Sequence, residues 1–359
     1  MQFAIRVAAA FVVAFHDAYA QVPAPSDSSG TVTGVVVVRD GGVPLPYSVV
    51  AVPSLSRERF TDEHGAFTLT GLPAGPLLVR ARHIGYSPVE LTVNVRAGGL
   101  DSIRFTLAHI VVKLSTMEVR AYAECKQPGI PTAATDSAFA LVFDELRQNA
   151  DQYRLLTETY PFLYSAERTL SHTQVNGDVR LEKVDTVVVD SRATWRYKPG
   201  VVLSQGDGLP GFRPLFLNIP TLVHFADRTF LDNHCFMYGG AESVDGRELL
   251  RIDFTAAARI KDPDVNGSMY LDPATFQIRR SVIRLSRIPK GVPNLRETEA
   301  TTWFSDALAS ISMIAGISSV NRVNANRGRP TATVALNEDQ LLIRVQFINA
   351  RPGEDVKKP

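Results

Sequence analysis

Surplus charge of either sign is missing from this chain: 38 lysines and arginines stand against 37 aspartates and glutamates in 359 residues. A nucleic-acid binder should show a basic excess, and a disordered chain a depleted apolar fraction, whereas 45% of these residues are hydrophobic. No nucleic-acid partner is therefore expected. Cysteine is scarce, with Cys125 and Cys235 the only two, and two thiolates supply only half of a structural zinc shell. Beyond Ala20 no stretch approaches the ~20 apolar residues that a membrane-spanning helix needs. No transmembrane segment is expected in the mature chain.

Signatures of catalysis are also lacking. None of the seven histidines is followed by Glu three residues later, and neither His-Glu-x-x-His nor Gly-x-Ser-x-Gly occurs. His224-Phe225-Ala226-Asp227 is the nearest approach to the first pattern. Gly206-Asp207-Gly208-Leu209-Pro210-Gly211 matches the dinucleotide-binding glycine spacing, but Pro210 and Pro214 interrupt the helix whose N-terminus would hold the phosphate. It reads as a loop. No catalytic residue, cofactor or metal ligand is assigned on this basis.

What is present begins with an address. Arg6, the apolar run Val7 to Phe15, and Ala18-Tyr19-Ala20 before Gln21 have the layout of a secretory signal peptide. Nine apolar residues cover about 14 Å as a helix, too little for a hydrocarbon core of roughly 30 Å. Export would put Cys125 and Cys235 where a disulfide persists, which favours that pairing over two free thiols or a metal site.

From about Thr31 to Val119 short Val-, Leu-, Ile- and Thr-rich runs alternate with turn chemistry at Asp40-Gly41-Gly42, His64-Gly65, Leu72-Pro73-Ala74-Gly75, Gly85-Tyr86 and Ala97-Gly98-Gly99. About seven strands fit, the pattern of an immunoglobulin-like or transthyretin-like β-sandwich. Thr31-Val32-Thr33-Gly34-Val35-Val36, Pro44-Leu45-Pro46 before Val49-Val50-Ala51-Val52, Thr61-Asp62-Glu63-His64-Gly65-Ala66-Phe67, Leu72-Pro73-Ala74-Gly75 and Ile84-Gly85-Tyr86-Ser87-Pro88 occur in that order. Together they resemble the carboxypeptidase regulatory-like domain. The resemblance implies a non-catalytic module attached to something else, as in carboxypeptidases or TonB-dependent receptors; a transport barrel has no room in this chain alone. Asp62-Glu63-His64 reads as a solvated turn rather than a metal or acid/base site.

Pro128-Gly129-Ile130-Pro131 breaks the pattern, and Phe139, Val142, Phe143 and Leu146 then recur at helical spacing with Asp136 as N-cap. From Tyr153 the runs turn strand-like again, with Asn176-Gly177 and Asn266-Gly267 as hairpin signals. A second helix is expected at Thr302 to Ile314 and a last strand at Gln340 to Ile348. The stretch 248–284, with Leu250-Arg251-Ile252-Asp253-Phe254 and the Asp272-Pro273 turn, is faintly similar to periplasmic lipoprotein-carrier sheets.

The expected fold class is mainly β: an N-terminal seven-stranded sandwich plus a second antiparallel β domain with one or two helices. The expected organisation is a signal peptide at 1–20, a flexible leader at 21–30, the sandwich at 31–119, a linker and amphipathic helix at 120–152, the second domain at 153–350 and a loose tail at 351–359. Functionally it reads as an exported, non-catalytic binding or accessory protein, periplasmic, outer-membrane-associated or extracellular, whose partner is an envelope protein or a glycan. Two alternatives stand beside it. A hydrolase would use His224, Asp227 and His234; a carbohydrate-binding module would use Trp195 or Tyr197 from the cluster Tyr153, Tyr160, Phe162, Tyr164, Trp195 and Tyr197.

Overall fold

The computed structural model describes residues 29–112, 124–134, 136–174, 176–193, 195–205, 215–290, 292, 294–308, 310–324 and 333–353. The expected signal peptide at 1–20, nearly all of the leader and the glycine loop 206–211 lie outside the described residues.

Strands β1 (Ser29–Val38), β2 (Val49–Val52), β3 (Arg57–Phe60), β4 (Ala66–Pro73), β5 (Gly75–His83), β6 (Tyr86–Val95) and β7 (Leu100–Leu107) make the expected sandwich. One sheet has the order β4-β1-β7, the other β3-β2-β5-β6. Alternation along each strand sends one set of side chains inward. Val32, Val36, Phe67 and Phe105 from the first sheet meet Val50, Val79, Ala81 and Val93 from the second in a common core. One pairing departs from the antiparallel expectation: β1 and β7 run parallel. Asp62-Glu63-His64 is a turn, as its sequence suggests, with Asp62 Oδ1 accepting the backbone N–H of His64 and of Ala66 at 2.8 Å each.

Helix α1 (Ser137–Thr159) starts where Asp136 Oδ1 accepts the Phe139 N–H at 2.9 Å. Its buried stripe continues past Leu146 through Ala150, Tyr153 and Leu156. The helix thus runs beyond residue 152, and the strands begin only at Phe162. It ends beside Pro161, because the residue before proline is pushed out of the helical region.

The remaining strands are β8 (Phe162–Thr173), β9 (Val179–Asp190), β10 (Leu203–Gln205) and β11 (Leu215–Leu217). After the short α2 (Arg228–Leu231) come β12 (His234–Val244), β13 (Arg247–Ala256), β14 (Val265–Leu271), β15 (Ile278–Leu285), β16 (Leu295–Leu308), β17 (Ile311–Asn324) and β18 (Thr333–Phe347). Nine of them form one antiparallel sheet in the order β12-β13-β14-β15-β16-β17-β18-β8-β9.

Two sequence signals mislead here. Asn266 and Gly267 lie inside β14 rather than in a hairpin turn. Gly267 is there for contact: a Cβ would sit 2.3 Å from the Val282 carbonyl oxygen and 2.8 Å from the Phe254 ring. Thr302 to Ile314 is not a helix but the end of β16 and the start of β17. Thr301, Thr302, Trp303 and Phe304 are β-branched or aromatic, and Ser310 takes a φ of 67° beside the turn.

Sandwich and sheet share a core across α1. Val49, Phe60, Ile84 and Ile110 of the first pack with Phe143, Leu146 and Leu156 of the helix and with Ile252, Phe254 and Phe276 beyond it. The seam also holds buried polar groups, several of them paired across it as burial demands. Gly85, at φ 82°, donates its N–H to Glu145 Oε2 at 2.6 Å. Asn149 donates to the Phe276 carbonyl at 2.9 Å and accepts the Ile278 N–H at 3.0 Å. Arg82 bridges Glu58 and Asp151 at 3.1 and 3.2 Å.

Candidate functional site

A groove of about 610 Å³ opens between the last turns of α1 and two stretches that follow β9 and β11. The helix contributes Arg154, Thr157 and Glu158; the first stretch contributes Ser191, Arg192, Trp195 and Arg196; the second contributes Val223, His224, Ala226 and Asp227. A smaller cavity of about 220 Å³ lies where Leu217 and Ile219 cover the sheet at Thr298, Ala300, Ile317 and Gln340. The larger groove is the one that gathers charged, aromatic and hydroxyl groups together.

His224 sits in a 3-10 turn, Leu222–Phe225, and locks it. Its Nδ1 accepts the Thr221 N–H at 3.1 Å, and its Nε2 lies 3.1 Å from the Trp195 carbonyl oxygen. One tautomer, with the proton on Nε2, satisfies both contacts. Burial lowers its pKa, which keeps the ring neutral. Neither nitrogen is left for a substrate. Asp227 caps α2, its Oδ1 accepting the Thr229 N–H at 2.6 Å. His234 is fully buried behind the groove, its two nitrogens 2.9 Å and 3.1 Å from the carbonyl oxygens of Phe230 and Val265.

Of the three residues that a hydrolase would use, the fold brings His224 and Asp227 to the groove and holds His234 in the core. Among the described residues no hydrogen bond links them, and both imidazoles pack on the Phe230 ring. Cys125 and Cys235 are joined by a disulfide with Cα atoms 5.6 Å apart, so that sulfur is not open to a metal beside His224 and His234. Among the described residues no three His, Cys, Asp or Glu side chains gather as a metal site.

The aromatic cluster divides. Tyr153, Tyr160, Phe162 and Tyr197 are buried. Tyr197 donates its hydroxyl to Asp264 at 2.9 Å, and burial followed by that carboxylate pushes its pKa far up. Trp195 alone of the six lines the groove. Its indole N–H is donated to the Ile219 carbonyl at 3.0 Å, and its ring rests on His224 at 4.7 Å and 32°. Sequence reasoning missed the groove's ionic members. Arg154 reaches Glu58 at 3.0 Å and Glu158 at 2.8 Å; Arg192 reaches Asp190 at 2.6 Å. The signals available were the helical four-residue spacing of Arg154 and Glu158 and the two arginines around Trp195.

Residues 31–108 match the family model of the carboxypeptidase regulatory-like domain, so the sandwich is a domain of that type. Among curated proteins none matches the chain. Solved structures similar to parts of it include the minor pilin GBS52 of Streptococcus agalactiae, at 16% identity over 25% of this chain and 49% of the pilin, TM-score 0.22. This chain thus spans about half the length of that pilin. Another is an outer membrane lipoprotein-sorting protein domain from Vibrio parahaemolyticus, at 9% identity over 57% of this chain and 93% of that one, TM-score 0.29. A third is a DUF1329 family protein from Desulfovibrio piger, at 10% identity over 57% and 92%, TM-score 0.26.

Proposed function

We propose that this chain is an exported binding or accessory protein of a bacterial-type cell envelope and not a catalyst. Its two sheet-built modules act as one body, with the regulatory-like sandwich as a mount and the groove at Trp195 as the place where a partner or glycan is held. The observation that carries this reading is the state of the groove's titratable groups. His224 has both nitrogens engaged by backbone and Asp227 gives one oxygen to a helix cap, so the groove offers surfaces for recognition and no free imidazole to serve as general base. The disulfide between Cys125 and Cys235 supports an oxidising compartment, in keeping with the leader read at Met1 to Ala20.

Expression of the full chain in a bacterial host, with fractionation and intact mass, should give a mature protein beginning at Gln21 outside the cytoplasm. Envelope extracts should yield a ligand that the wild type retains and Trp195→Ala does not. A hydrolytic activity that survives repurification and disappears in His224→Ala would overturn the reading.

A further inference from the structure

One guanidinium in the groove is not used by the fold. Arg154 is committed to Glu58, Asp151 and Glu158, and Arg192 to both oxygens of Asp190 at 3.0 and 2.6 Å. Arg196 lines the same groove, is exposed, and has no hydrogen bond or ion pair among the described residues. It stands next to a ring held in place. With its N–H taken by Ile219 and one side on His224, Trp195 can offer a ligand only its apolar surface, and that surface is fixed before anything binds. Acceptors and a donor complete the lining. Asp227 uses one carboxylate oxygen for its cap and has the other to spare. Ser191 Oγ accepts the Phe162 N–H at 3.0 Å, which leaves its own proton to donate.

We infer that the groove takes an acidic saccharide, with a sugar ring laid on Trp195, hydroxyls donating to Asp227 and accepting from Ser191, and a carboxylate on Arg196. The inference rests on the groove being the ligand site proposed above. A planar, permanently charged guanidinium matches a carboxylate with two parallel bonds. Aromatic surface suits the C–H face of a sugar, and rigidity lowers the entropy cost of binding it. Glu158 and Asp227 in the same lining disfavour a phosphate of charge near −2, while a single carboxylate flanked by hydroxyls meets one cation and several acceptors.

The test uses the full chain and measures binding by calorimetry, with trigalacturonate, its methyl ester, inorganic phosphate and a tri-aspartate peptide as probes. Trigalacturonate should bind at least about tenfold tighter than the ester, the size of one charge-assisted contact. Arg196→Gln, an exposed change, should erase that preference by weakening the acid far more than the ester. Trp195→Phe, which keeps most of the ring packing, should weaken acid and ester together. Equal binding of acid and ester, or a preference that survives Arg196→Gln, overturns the acidic-saccharide inference, while the groove stands if Trp195→Phe still weakens both. Phosphate or tri-aspartate binding as tightly as trigalacturonate also overturns it, in favour of an unselective anion site or a peptide. Sugar binding that Trp195→Phe leaves untouched removes the groove itself as the site, and no binding of either sugar ends the saccharide reading.

Discussion

Replacing Glu145 by glutamine tests how the sandwich is held to the large sheet. The side chain is 1% exposed, with one oxygen accepting the Gly85 N–H at 2.6 Å and the other the Gln148 amide at 2.7 Å. Burial pushes its pKa up to about 8 from an ordinary 4.5, against the pull of those two hydrogen bonds. An acid whose pKa rises on folding is better tolerated protonated. Its contribution to stability is complete below about 4.5 and is lost as pH climbs through about 8. The gap sets a ceiling of about 5 kcal/mol. His83 acts from the other side, since burial lowers its pKa to about 4 from 6.5. Its neutral form stabilises the fold above 6.5, and that contribution is lost as pH falls through about 4. The wild type should therefore have an optimum between two limbs, and Glu145→Gln should remove the alkaline limb alone. The new amide keeps an acceptor for Gly85, and Gln148 can turn its own amide to accept the added N–H. Urea unfolding of both proteins from about pH 5 to about pH 8.5 measures the difference. The variant should gain on the wild type by several kcal/mol across that window. Two curves that stay parallel would refute the reasoning, because a carboxyl that titrates alike in folded and unfolded chains cannot sit desolvated in the seam.

Two further perturbations act on the same architecture. Gly85→Ala places a side chain at φ 82° with its Cβ 3.0 Å from the Thr275 carbonyl oxygen; backbone strain of about 1–2 kcal/mol plus displacement of that turn should lower the melting temperature and expose the seam to protease, and an unchanged melt would mean that the turn does not bear on the sheet. Breaking the Cys125–Cys235 bond, which spans 110 residues, should cost up to about 4.7 kcal/mol in the chain-entropy picture. Cys125→Ser, Cys235→Ser and the double variant should then fall by the same amount in urea unfolding, and reductant should affect only the wild type.

How far the fold could be read in advance depended on whether local chemistry and packing asked for the same thing. At Asp136 and Phe139 they did: cap and buried stripe both specify a helix, and α1 begins there. At Asn176-Gly177 the turn residues fall between two extended runs, and β8 pairs with β9 across them. Asn266-Gly267 has the same letters and another cause. Gly267 leaves space for the Phe254 ring and the Val282 carbonyl oxygen, a contact with residues on two neighbouring strands that no local pattern encodes. The stretch from Thr302 failed for a related reason. Its three- and four-residue spacing imitates a helix face, yet Phe304, Ile311 and Met313 are buried as members of paired strands, while Trp303 stays 37% exposed.

The groove was less legible than the fold, because its lining comes from segments far apart in the chain. Aromatic clustering pointed at six rings, and only tertiary packing decides that Tyr197 is buried on Asp264 while Trp195 reaches the groove. Charge was hidden in a different way. With 38 basic and 37 acidic side chains, composition predicts mutual neutralisation everywhere. Arg196 escapes it through competition: Arg192 holds Asp190 with two bonds, Arg154 holds Glu158, and Asp227 turns an oxygen to the backbone of α2. Each of those pairings is worth little at a surface, but together they leave a particular cation without a carboxylate beside a fixed indole. A chain neutral in total can thus present a local charge, and its position is set by which neighbours are already engaged rather than by how many acids the sequence contains.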